Sequence, residues 1–266
     1  MLRQQAVIVL TASCDKTAKL WNAATGECVC TFSGHIGGVV SADFSADGAS
    51  ILIACYDGTA KLWNAAAGEC TRIFSGHEDI VHLAVWSTDG AIVLTASFDS
   101  TAKLWNAATC ECTTTFSGHG DRVNSAVWSA DGTSVLTASS DGTAKLWNAA
   151  TAVCTCTFLG HRGGISTAVW FADGASILTA SDDKTVKRWN AVTGKCTCTF
   201  SGHCDVVNSV VWSADGVYIL TASDDMTVKL WNAAMGECTR TFSEHDGAAV
   251  SAVFFCRWRV YTNSFR

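Results

Sequence analysis

Histidine, serine and aspartate recur along this chain at fixed spacings, and together they are the side chains of a nucleophilic acyl-transfer site. One unit holds His77, Ser97 and Asp99, and the next holds His119, Ser139 and Asp141. His161, Ser181 and Asp183 follow, then His203, Ser223 and Asp225. A hydrolase needs such a set once, with an exposed hydroxyl, a base beside it and an oxyanion hole. Here four successive units repeat it, so the set reads as structural and the chain as no enzyme. Gly-x-Ser-x-Gly, a glycine-rich phosphate loop and His-Glu-x-x-His are all missing from the sequence. Cysteine offers a second chemistry. Cys-x-Cys at 28/30, 110/112, 154/156 and 196/198 sets two thiols on one side of an extended chain, a start for a soft-metal site. A structural zinc site takes four ligands, and no second pair or histidine falls at a matching spacing. No metal and no cofactor is expected.

These residues are positioned by a repeat. Trp21, Trp63, Trp105, Trp147, Trp189 and Trp231 each precede an asparagine, and successive members stand 42 residues apart. His35, His77, His119, His161, His203 and His245 keep the same interval. A period of this length marks a solenoid or a propeller rather than one conventional core. In the unit of Trp147, residues 123–129, 134–139, 143–148 and 154–158 read as short strands, and Asp131-Gly132 marks a hairpin. Asp-Gly returns at 47–48, 89–90, 173–174 and 215–216. The chain contains no proline, which suits paired strands because proline removes a ladder donor. Four antiparallel strands in a unit of about 40 residues make a propeller blade.

Gly-His, Ser-x-Asp-x-Thr-x-Lys-x-Trp and the following asparagine resemble the WD-repeat (WD40) pattern along nearly the whole chain. The resemblance implies an all-β β-propeller over residues 1–254, most simply of six four-stranded blades closed by overlap of the N- and C-terminal strands. His245 and residues 250–254 would complete the blade that residues 7–32 begin. Seven is the commoner number in that family, so an incomplete or longer array stays open. Within each blade the resemblance implies a buried hydrogen-bonded tetrad. The sets are His77-Ser97-Asp99-Trp105, His119-Ser139-Asp141-Trp147, His161-Ser181-Asp183-Trp189 and His203-Ser223-Asp225-Trp231. The set His35-Cys55-Asp57-Trp63 lacks the hydroxyl and is expected to be the weakest. Asparagine replaces the family's usual aspartate after every repeat tryptophan, keeping the turn-forming side chain without its charge. Residues 255–266 fall off the pattern. The regular 42-residue units also resemble those of fungal heterokaryon-incompatibility proteins.

The net charge of −6, with no basic stripe, argues against a nucleic-acid partner. No apolar run approaches the roughly 20 residues that span a bilayer, so no membrane partner is expected either. Residues 6–12 faintly suggest a signal peptide, but the same phrase recurs at 93–97 and 135–139 and reads as a repeat strand. Cysteines at one repeat position fall on different blades, beyond disulfide reach, which favours a reducing, cytoplasmic setting; a monomeric ring is expected. What remains is a surface. The expected function is a scaffold that binds peptides or domains of other proteins through the loop face. Its candidate residues are Glu78, Asp79, Arg122 and Arg162 after the histidines, and Tyr56, Phe98, Asp182 and Asp224 beside the core aspartates. Tyr56 and Phe98 are the candidate anchors, and the acidic bias favours a basic segment. The alternative is the sensing or substrate-recruiting array of a larger signalling protein, NTPase-linked or ubiquitin-ligase-linked, of which this chain is a fragment.

Overall fold

The computed structural model describes residues 7–254, which form six antiparallel sheets in chain order. Blade 1 has three strands, Ile8–Ala12, Ala18–Asn22 and Cys28–Phe32. Blades 2 to 6 occupy 39–75, 81–116, 123–158, 165–201 and 207–242, with four strands each in sequence order. Among the described residues no helix is long and apolar enough to cross a membrane. Residues 255–266, read above as an off-pattern tail, lie outside the described residues.

Blade 4 shows why the sequence folds this way. Its strands are Val123–Trp128, Ser134–Ser139, Ala144–Asn148 and Cys154–Phe158. At the first hairpin, Ser129 Oγ donates to Asp131 Oδ1 at 2.6 Å, and the same oxygen accepts from Thr133 N–H at 3.0 Å. Gly132 sits there at φ 69°, a left-handed conformation that favours glycine. At the last turn Asn148 Oδ1 accepts from the N–H groups of Ala150 and Thr151, at 3.1 and 3.0 Å. An amide oxygen does this as well as a carboxylate, so the asparagines leave the turn intact.

The second strand of the blade is buried on both sides, from Val135 through Ser139. Sheets on either side of it explain why it reads as a continuous apolar run rather than an alternation. Hydrophobic cores lie between blades, not within them. Leu94, Ala96, Ala102 and Leu104 of blade 3 pack on Val123, Ala126, Val135 and Trp147 of blade 4. The Phe116 ring of blade 3 meets Trp147 at 5.6 Å. A buried indole of this size contributes about 5 kcal/mol of apolar burial. The first strands of successive blades also lie against one another. A register shift between Val123 and Ser125 frees Asn124, whose Nδ2 donates to Ile165 O of blade 5 at 3.0 Å.

The ends differ from the expected overlap. Among the described residues Ile8–Ala12 pairs only with Ala18–Asn22, and residues 250–254 form no strand. Ala249 N–H instead donates to Ser223 O at 2.9 Å, the bond that Val39 N–H makes to Ser13 O at 3.0 Å between blades 1 and 2. Residues 249–254 therefore start where the first strand of a further blade would start. Ala249, Ala252 and Phe254 hold them there against Leu220, Ala222 and Val228 of blade 6. Among the described residues no strand of blade 1 packs extensively on blade 6. Val250 and Val253 are consequently 70% and 75% exposed. His245 is exposed as well.

Candidate interaction face

Beneath one set of strand ends runs a buried polar chain, repeated from blade to blade. In blade 4, Trp147 Nε1–H donates to Thr137 Oγ1 at 2.8 Å. The Thr137 hydroxyl lies 2.7 Å from His119 Nε2, and His119 Nδ1 lies 2.8 Å from Asp141 Oδ2. One hydrogen placement satisfies every group. The neutral imidazole donates from Nδ1 to the carboxylate and accepts at Nε2 from threonine, which in turn accepts from tryptophan. Burial lowers the His119 pKa from its ordinary value, and the hydrogen bond to Asp141 only partly opposes this. Burial also works against ionisation of Asp141. Donation from Gly120 N–H, Thr143 and His119 outweighs it and holds the carboxyl at about 2. Asp183 is held at about 2 by the matching donors Thr185, Arg162 N–H and His161.

Equivalent chains join His77, Thr95, Asp99 and Trp105, then His161, Thr179, Asp183 and Trp189. A fourth joins His203, Thr221, Asp225 and Trp231. The linking hydroxyl is thus a threonine, not the serine expected from the motif. Ser139 Oγ instead donates to Asp121 O at 3.0 Å and accepts from Asp141 N–H at 3.1 Å. Ser97, Ser181 and Ser223 make the same two bonds. They pin the loop after the histidine to the turn that carries the aspartate. The motif reading passes over the threonines, although they stand 10 residues before five of the six repeat tryptophans. All of these serines and threonines are buried and bonded within the protein, so none presents a nucleophile.

Blade 2 lacks the link. Ile53 stands in the threonine position, and both His35 ring nitrogens and Trp63 Nε1 are buried with no hydrogen-bond partner. Burial and then the nearby Lys61 charge push the His35 pKa down to about 4. Asp57 is held at about 2: burial opposes its charge, and Thr59 and Lys61 outweigh it. Lys61 Nζ takes the histidine's place on Asp57 Oδ2 at 3.1 Å.

Above the polar chain, one residue per blade sits between the Ser position and the Asp position. These residues are Cys14, Tyr56, Phe98, Ser140, Asp182 and Asp224. Chemistry changes along this row from aromatic in blades 2 and 3 to acidic in blades 5 and 6. Tyr56 is 46% exposed, and its ring lies against Gly38, where even a Cβ would come within 3.2 Å of it. Phe98 is not the free anchor expected. His82 stacks on its ring at 5.2 Å and the Arg122 guanidinium lies over it at 4.7 Å, so its faces are already in use. Asp224 is half-buried and accepts from Asn208 Nδ2 at 2.7 Å, whereas Asp182 is exposed and accepts from Ser166 Oγ at 3.2 Å. Glu78 and Arg162 are exposed, and their backbone N–H groups bind Asp99 and Asp183. Asp79 is exposed and caps Ile80 N–H at 2.7 Å. At the opposite strand ends lies a cleft of about 530 Å³, lined among others by Asp47, Arg72, Trp86 and Asp89. Arg72 Nε is spent there on Ala108 O at 3.1 Å.

The arrangement presents a patterned rim on a rigid buried frame, which suits recognition rather than turnover. A comparison with curated proteins returns no match. The WD40 family model, described as WD domain, G-beta repeat, matches five consecutive segments, 26–64, 68–106, 110–148, 152–190 and 194–232. Each segment ends on the asparagine after a repeat tryptophan. WD40 repeats are generally non-catalytic protein-interaction scaffolds, and this chain belongs to the WD40 family.

Proposed function

We propose that this chain is a non-catalytic scaffold that holds a segment or domain of another protein across the rim carrying Tyr56, Asp182 and Asp224. The observation that carries this reading is the change of side chain along the row from Cys14 to Asp224, while the polar chain beneath it stays the same in blades 3 to 6. The acidic end favours a basic segment, through complementary charge, and exposed Tyr56 supplies the apolar contact. Arg122 acts by bracing Phe98, and Glu78, Asp79 and Arg162 border the same rim. A reducing cytoplasmic setting and a monomeric array go with this reading.

The closed six-bladed ring belongs to the same proposal. It needs blade 1 to dock on blade 6 with Phe242 under Trp21, the contact Phe200 makes with Trp231 at 5.9 Å. Phe242 is 47% exposed while its counterparts in blades 1 to 5 are buried, and Trp21 is the one half-buried member of its series. Those uncovered surfaces equally support the second reading, a recruiting array within a larger NTPase-linked or ubiquitin-ligase-linked protein.

Affinity capture from native cells, with cross-links mapped by mass spectrometry, tests the face. Partners held by the unmodified chain should be lost from Tyr56→Ala and from Asp182→Asn/Asp224→Asn, with cross-links falling on the rim. Retention of the same partners by all variants refutes the chosen face.

A further inference from the structure

Blade 2 departs from its neighbours at three positions that surround one spot. Ile53 replaces the linking threonine, Cys55 replaces the serine of blades 3 to 6, and Ile73 replaces an outer-strand threonine. The last change decides where Lys61 goes. Its counterparts Lys103, Lys145, Lys187 and Lys229 donate outward to Thr115, Thr157, Thr199 and Thr241, at 3.0–3.3 Å. Lys61 has no such acceptor and turns inward to Asp57 Oδ2 and to Gly34 O, at 3.1 and 3.3 Å.

We infer that His35, Cys55 and Asp57 form a binding site for one zinc-class divalent cation, held by an imidazole nitrogen, a thiolate and a carboxylate. Their ligand atoms all lie within 4.8 Å of one another, and no other three potential ligands gather this way among the described residues. Bonds of about 2.0–2.3 Å in a tetrahedron set ligands about 3.5 Å apart, so side-chain shifts of about an ångström complete the geometry. Nitrogen, sulfur and oxygen together suit zinc or cobalt rather than magnesium or calcium.

His35 is the independent sign of a ligand. It is 5% exposed, and neither ring nitrogen has a partner, although an orphaned buried polar group is costly. In blades 3 to 6 the equivalent histidine is saturated by threonine and aspartate. Cys55 is fully buried beside it, its Sγ 3.3 Å from Gly37 O. That carbonyl or a water takes the fourth corner. Binding exchanges the thiol proton for the metal: the S–H bond breaks, the proton leaves to solvent, and the sulfur pair forms the metal–sulfur bond. Lys61 and the cation compete for Asp57 Oδ2, so loading sends the ammonium outward along the path its counterparts take.

Cobalt(II) is the probe, titrated into the full reduced chain, because tetrahedral thiolate coordination gives visible and charge-transfer absorption. One equivalent should bind with that signature and raise the thermal midpoint. Cys55→Ser, the residue blades 3 to 6 carry at this position, should lose both effects while still folding. Lys61→Met should tighten binding by about tenfold or more, the scale on which neighbours of a metal site alter its affinity. A thiolate–cobalt signal that persists in Cys55→Ser assigns the metal to exposed cysteines and overturns the inference. So does a full chain that shows no such band, or a Lys61→Met variant that binds no more tightly.

Discussion

Replacing Thr137 by valine removes one hydroxyl and keeps the shape of the side chain. Thr137 is fully buried, lies 2.7 Å from His119 Nε2 and accepts from Trp147 Nε1–H at 2.8 Å. Without the oxygen two polar atoms lose their partner at a site that excludes water. Each buried unsatisfied group costs about 1–3 kcal/mol, giving about 2–6 kcal/mol in total. The added methyl returns about 1 kcal/mol of burial, so a net loss of about 3 kcal/mol is expected. The fold should survive, because blade 2 already carries a β-branched apolar residue, Ile53, in this position. Urea denaturation followed by tryptophan fluorescence measures the global loss, and hydrogen exchange of 134–148 localises it, since repeat arrays open piecewise. Serine at 137, which restores an oxygen, should recover most of the stability. A valine variant within about 0.5 kcal/mol of the parent would refute the proton chain as a source of stability.

The reverse change, Ile53→Thr with Ile73→Thr, should stabilise blade 2 by about 1 kcal/mol or more, because it gives His35 and Trp63 their missing partner and offers Lys61 the outer-strand acceptor its counterparts use; an unchanged or lower urea midpoint contradicts this. Acid should weaken the fold in two stages. Burial lowers the pKa of His119 and His161, so the unfolded chain binds more protons, and their contribution is complete above the ordinary value of 6.5 and declines as pH falls through it. Asp141 and Asp183, at about 2 against 3.8, hold their contribution until pH drops below 3.8 and lose it towards 2. Stability measured against pH that rises on acidification through 6.5 would contradict the assignment. Finally, ring closure should slow hydrogen exchange at Ile8–Ala12 to the level of Ser50–Cys55, whereas an uncovered edge strand exchanges fast.

The fold was legible because the sequence states its period repeatedly. Trp147, His119, Asp141 and Asp131-Gly132 each sit in a turn or strand whose geometry they require, and blade 4 forms where their spacing sets it. The polar chain was half legible. His119, Asp141 and Trp147 stand out by their spacing, but Ser139 sits two residues from the aspartate and mimics the link, and nearness in sequence is a poor guide across a strand. Thr137 and Ser139 point to the same side of their strand, and which of them reaches the imidazole depends on depth in the blade. Phe98 looked like a free anchor because its cover comes from His82, in the adjacent strand, and from Arg122, in the next repeat. The ends were least legible. A matching histidine and a matching gap in two terminal units reveal complementarity, but the pairing itself depends on docking between blades 1 and 6.

The sharing of cores between neighbouring blades has a consequence for how such a gene can change. Every internal interface is built from nearly the same residues, Leu94 and Trp147 at one and Leu136 and Trp189 at the next. Unequal recombination that deletes or duplicates one 42-residue register would rejoin surfaces that already fit. Copy number can drift without spoiling any internal seam, and each gain or loss only moves the two ends of the array further apart or closer together in register. Loss of a fraction of a register has no such refuge, since it would set a phenylalanine against the wrong tryptophan throughout one wedge.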